Sequence, residues 1–171
     1  MTSVNEIQFQ YAAHTVLGKE KQYNTDICEK FDLVNGLGIV ICDGVDGVNK
    51  EGGALAAKLA VEAIKRHFRK NAVKNPLKAL QGAMMLANFM VYDHAMKNER
   101  FQQMGVNIMV ILVIDGLVFY ASVGSNQLLM QREGILYQLV KPIVNESNTT
   151  LALLGLEKNA RFSLCKNPIL T

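Results

Sequence analysis

What this sequence has little of narrows it first. No apolar run in its 171 residues approaches the roughly 18 needed to cross a bilayer, so no membrane association is expected. Residues 1–10 carry neither a basic segment nor an apolar one of the kind that opens a secretory signal. Cysteine is scarce: Cys28, Cys42 and Cys165 are an odd, scattered set without a C-x-x-C pair, which excludes a disulfide framework and a cysteine-type zinc site. Reduced thiols and a cytoplasmic location are the matching expectation. His14, His67 and His94 stand apart from one another and read as core or surface residues rather than ligands. Charge of one sign is scarce too, with a net charge of only +3. Its one concentration, Lys65, Arg66, Arg69 and Lys70, falls in the last turns of a predicted helix, where cations complement the helix dipole. A nucleic-acid surface needs a longer basic stripe or interleaved aromatics, so no nucleic-acid partner is expected.

What is present suits one globular domain over residues 1–171. Half the residues are apolar and 19% are charged, enough to bury a core without staples. Residues 7–13 alternate as a half-buried strand, 27–34 and 37–42 form further strands around an Asn35-Gly36 turn, and an alanine-rich helix spans 54–70. Asn75-Pro76 supplies an N-cap and a proline for the first turn of a second helix reaching about 98, with Leu77, Leu80, Met84, Ala87 and Val91 as its buried stripe. Met84, Met85, Met90 and Met96 on this helix read as core filler. Residues 104–114 and 117–123 flank Asp115-Gly116 as a hairpin. Residues 128–131 and 135–140 make another across Arg132-Glu133-Gly134. After a polar loop at 141–150 come an apolar run at 151–154 and a short strand at 161–165. Strands, two helices, then strands predict an α+β fold with antiparallel sheet.

The chain is organised around Ile41-Cys42-Asp43-Gly44-Val45-Asp46-Gly47, where two carboxylates and two glycines meet the end of a strand. Glycine admits positive φ and close backbone approach, and closely spaced carboxylates repel unless a cation or proton lies between them. The motif reads either as an ordinary turn or as a metal or phosphate cradle.

The ordered set of turns is more specific than any one of them. Gly18-x-x-Lys21-x-x-Asn24-Thr25-Asp26, Asp43-Gly44-Val45-Asp46-Gly47, Met104-Gly105-Val106-Asn107 and Val123-Gly124-Ser125-Asn126-Gln127 follow one another around the two helices. Together they resemble the type 2C (PPM) metal-dependent serine/threonine phosphatases, whose blocks are G-x-x-R-x-x-N-E-D, D-G-x-G-G, M-G-T-T and V-G-D-S-R. The likeness covers about residues 12–140. It implies two packed antiparallel β-sheets flanked by helices (αββα), and a binuclear Mn2+ or Mg2+ centre whose bound water attacks a phosphoserine or phosphothreonine. Hard cations of this kind require oxygen ligands.

By this resemblance Asp43 matches the aspartate that bridges the metals, the Gly44 carbonyl matches a backbone ligand, and Asp26 matches an acidic group behind them. Lys21 stands for the phosphate-binding arginine and loses its bidentate fork. The family's glutamate is Thr25, its first paired glycine is Asp46, its two threonines are Val106 and Asn107, and its fourth-block aspartate is Ser125. No acidic residue follows Glu157, so the later S-D-G and D-N blocks have no counterpart and the domain reads as C-terminally shortened. The metal set reduces to Asp43, Gly44, Asp26 and the newcomer Asp46. The resulting expectation is a catalytically impaired, pseudophosphatase-like domain that binds a protein partner, or a second copy of itself, through an open sheet edge. The alternatives are an active Mn2+- or Mg2+-dependent phosphatase with Asp46 as a replacement ligand, and an unrelated α+β binding domain.

Overall fold

The computed structural model describes residues 10–19, 23–69, 72–142 and 152–165, together with the backbone of 169–170. Strand β1 (Asp26–Leu33) turns through Val34 and Asn35 into β2 (Gly36–Val45). Two helices follow, α1 (Gly52–Phe68) and α2 (Pro76–Lys97). A single 3-10 turn, Glu99–Phe101, leads into β3 (Gly105–Ile114) and β4 (Leu117–Val123). Strands β5 (Leu128–Arg132) and β6 (Ile135–Val140) form a separate two-stranded sheet. The short β7 (Ser163–Leu164) and β8 (Ile169–Leu170) both pair with β4. The larger sheet is antiparallel throughout in the order β1-β2-β3-β4, with β7 and β8 on its far side. This is an α+β fold of two antiparallel sheets flanked by helices.

The period of two along β2 and β3 assigns each sheet face. Val40 and Cys42 of β2, with Ile108, Val110 and Leu112 of β3, are buried toward the helices, where they meet Ala57, Ala60, Ile64, Leu80, Met84, Ala87 and Val91. Alanines at four of the buried α1 positions let the helix lie close on the sheet. On the opposite face Met109 and Val113 are buried, while Ile41 is exposed. The β5-β6 sheet is tied to this face where the Tyr120 hydroxyl donates to the Leu139 carbonyl at 3.3 Å.

Several expectations need correction. Residues 10–13 of the strand expected at 7–13 are irregular and exposed, and residues 7–9 lie outside the described residues. Alternation without a pairing partner buries nothing, so it does not produce a strand. Strand β2 continues through Asp43 and Gly44 because β1 and β3 both pair with it there, so the Asp-Gly step is strand rather than turn. The α2 methionines divide: Met84 is fully buried, whereas Met85 and Met96 are exposed. The rest of α2 follows the pattern, with the Asn75 side chain accepting from the Lys78 amide at 3.0 Å. The 141–150 loop is largely outside the described residues.

Candidate functional site

Pairing across three strands builds the site. Asp26 of β1 lies opposite Asp43 of β2, and Asp43 lies opposite Asn107 of β3. All three therefore project from the sheet face away from the helices, in one row. Carboxylates placed directly opposite across a ladder repel, so the pair calls for a cation or donor between them. Asn107 supplies a donor: its Nδ2 gives a hydrogen bond to Asp43 Oδ2 at 3.0 Å.

The amide is held in that orientation from behind. Gly124 takes φ of +94°, which turns the chain so that the Ser125 amide donates to Asn107 Oδ1 at 3.0 Å. A Cβ on Gly124 would lie 2.0 Å from that same oxygen. Asn126 closes the turn, its Nδ2 donating to the Ile108 and Val123 carbonyls at 3.0 and 2.7 Å. Asn107 is 3% exposed, so neither of its bonds is readily exchanged for water.

The glycines serve close approach rather than positive φ. A Cβ on Gly44 would lie 1.9 Å from the Gly53 carbonyl oxygen, and one on Gly47 would lie 2.1 Å from that of Gln102. The first turn of α1 thus sits directly on β2. Asp46 faces this helix end, its Oδ1 accepting from the Gly53 amide at 2.8 Å, a placement the helix dipole favours. Arg100 joins Glu51 at 2.7 Å, and the Val48 amide donates to Gln102, so the loop is stitched to the segment after α2.

The structure thus brings Asp26, Asp43 and Asn107 together, places the Gly44 carbonyl beside α1, and turns Asp46 toward the Gly53 amide. Thr25 is buried, and its carbonyl accepts from the Gly44 amide at 3.1 Å. Lys21 lies outside the described residues. Among the described residues no group of three histidine, cysteine, aspartate or glutamate side chains is placed to hold a metal ion. The donor set does not fit a binuclear centre: one carboxylate oxygen is taken by an amide, and another caps a helix.

Asn88 is a buried polar residue that the α2 pattern did not single out. Its Nδ2 donates to the carbonyls of Glu157 and Lys158, both at 3.0 Å, and its Oδ1 accepts from the Gly155 amide at 2.8 Å. It ties the segment after β6 to α2, and the Leu154 bridge to Val106 brings that segment beside β3. Asparagine within an apolar stripe was the available signal.

Two antiparallel sheets flanked by helices match the αββα architecture of the type 2C-like serine/threonine phosphatases among solved structures. Among solved structures, the chain is similar to serine/threonine phosphatase Stp1 from Staphylococcus aureus, with a TM-score of 0.77 and 19% identity over 92% of this chain and 74% of that one. It is also similar to the Mycobacterium tuberculosis serine/threonine phosphatase PstP/Ppp, with a TM-score of 0.76 and 17% identity over 91% of this chain and 72% of that one. The catalytic domain of PstP in complex with two manganese ions matches with a TM-score of 0.76 and 18% identity, over 91% and 71% of the respective chains. At such identities the likeness establishes the fold. No family model and no curated protein matches the sequence.

Proposed function

We propose that residues 1–171 form a phosphatase 2C-like domain of impaired catalysis, a pseudophosphatase that serves as a protein-binding scaffold or regulatory module. The observation that carries this reading is the Asn107 amide donating to Asp43, fixed from behind by the Ser125 amide. The carboxylate that would bridge two cations is instead satisfied by a neutral donor, and cation affinity at oxygen sites follows ligand count and charge. Asp26 and Asp43 retain enough negative charge for at most one hard cation, Mn2+ or Mg2+, with the Gly44 carbonyl as a further oxygen. Asp46 serves the helix instead. Three free cysteines fit a cytoplasmic setting, and no described helix is long and apolar enough to cross a membrane. A binding role needs a surface, and open sheet edges supply it: among the described residues β1 pairs only with β2, and β5 and β6 pair only with each other.

The test is hydrolysis of an aryl phosphate and a phosphothreonine peptide with Mn2+ or Mg2+ in excess, run beside Asp43→Ala. We expect no turnover above that of the variant. Metal-dependent turnover that disappears in Asp43→Ala would make the chain an active phosphatase with a rebuilt site.

A further inference from the structure

The charged groove between α1 and β1, on the side of β1 that no described strand pairs, takes no part in the carboxylate row, and its chemistry is specific. It has a volume of about 480 Å³ and is lined by Ile27 and Glu29 of β1 and by Val61 and a charged stripe of α1. Lys58, Glu62, Lys65 and Arg66 of α1 and its C-cap residue Arg69 recur on one helix face at intervals of four, three, one and three residues. Lys65 is engaged, its Nζ lying 2.6 Å from Glu29 Oε2. The four cations outweigh Glu29 and Glu62 by two charges, and Lys58, Arg66 and Arg69 are exposed.

From this geometry we infer that the groove binds an extended acidic peptide, which adds to the sheet as a strand beside β1 and presents its acidic side chains to α1. The proposal rests on the binding role put forward above and names the class of partner. Three features favour a peptide over other polyanions. A strand edge that no described strand pairs offers amides and carbonyls in the ladder spacing, which only another backbone matches. The stripe from Lys58 to Arg69 covers about 16 Å along the helix, the length of about five strand residues. Alternate residues of such a strand face the helix, so acidic side chains at its two ends come level with Lys58 and with Arg66 and Arg69. The floor at Ile27 and Val61 is apolar, and the lining contains no aromatic ring on which a nucleobase could stack. Among the described residues only β2 pairs with β1, and residues 10–19 form no strand. That segment meets β1 through a side chain, the Tyr11 hydroxyl lying 3.3 Å from Cys28 Sγ.

The experiment is fluorescence anisotropy of the whole chain with a labelled peptide of alternating glutamate and valine. Three other probes run beside it: the lysine-valine counterpart, the same glutamate peptide N-methylated at alternate amides, and a labelled single-stranded DNA 15-mer. The expected result is saturable binding of the glutamate peptide. That binding should weaken at least tenfold on N-methylation, and at least tenfold in the variant carrying Lys58→Glu, Arg66→Glu and Arg69→Glu. The melting temperature of the variant verifies that it folds. Binding unaffected by the triple substitution, equal binding of the lysine peptide, or no binding at millimolar protein would overturn the proposal. Tighter binding of the DNA would overturn it in favour of a nucleic-acid surface. Neither substitution nor probe touches Asp43 or Asn107, so a null result here leaves the reading of the carboxylate row intact. Metal-dependent phosphatase turnover, conversely, would leave this groove unaffected.

Discussion

A methyl group on Gly44 would sit 1.9 Å from the Gly53 carbonyl oxygen, a backbone atom that cannot swing aside. Gly44→Ala is therefore expected to lift α1 off β2 and to destabilise the chain by about 2 kcal/mol or more, read as a lower urea midpoint with an unchanged slope. An unchanged midpoint would show that helix and strand are not in contact there. The Asp-Gly-x-x-Gly spacing marks this position in the sequence, but for a different reason from the one that operates. Its glycines are read as turn formers, yet the described glycines with positive φ are Gly116, Gly124, Gly134 and Gly155. Asp46 has the same ambiguity, since an aspartate seven residues before a helical amide reads as a ligand until the fold brings the two to 2.8 Å.

Elements were legible where local chemistry decides them. Asn75-Pro76 starts α2, and Asp115-Gly116 and Glu133-Gly134 adopt the two consecutive positive φ values that tight hairpins require. Contacts between elements were not legible. His67, placed on α1 by its sequence pattern, meets α2 at Gly82, where a Cβ would lie 2.8 Å from the imidazole Cε1. Partial desolvation against α2 holds the imidazole, which still faces solvent, somewhat below the usual histidine range. The folded state therefore resists a proton that the unfolded chain accepts near pH 6.5, and this contribution to stability is lost as the pH falls below about 6.5. We expect His67→Gln to flatten the pH dependence of the urea midpoint between pH 7 and 5. A dependence as steep in the variant as in the parent would place the titrating group elsewhere.

At the scale of the whole molecule, the two-stranded β5-β6 sheet leaves several apolar side chains exposed among the described residues. Leu129, Ile135, Leu136 and Tyr137 are exposed. Successive residues alternate between faces and opposite ones share a face, so Met130, Ile135 and Tyr137 lie on one face and Leu129 and Leu136 on the other. A lone hairpin is marginal in water without a third strand or a packed face, and an unpaired edge is a template for another chain. Association through this edge is the expected outcome, and sedimentation equilibrium at micromolar concentration checks it: a mass of about twice the monomer supports self-pairing, while a compact monomer counts against it. The charged residues Glu29, Lys30 and Asp32 on β1 guard the other edge against indiscriminate pairing.

The sequence by itself determined the order of elements from β1 to β7, the helix starts and hairpin turns, and the resemblance carried by four successive blocks. Each of these rests on neighbours in the chain: a cap reaches three residues, a hairpin turn two, and an apolar period one face of one element. The resemblance also marked Thr25, Asp46, Asn107 and Ser125 as departures from the family's pattern, because such a departure is visible without coordinates. Only the tertiary structure decided what those residues do. The Asp26-Asp43-Asn107 row depends on the register of three strands, two of them 64 residues apart at Asp43 and Asn107. Register is set by pairing partners, and it is this pairing that turned a predicted turn into strand and set an asparagine amide against the central carboxylate.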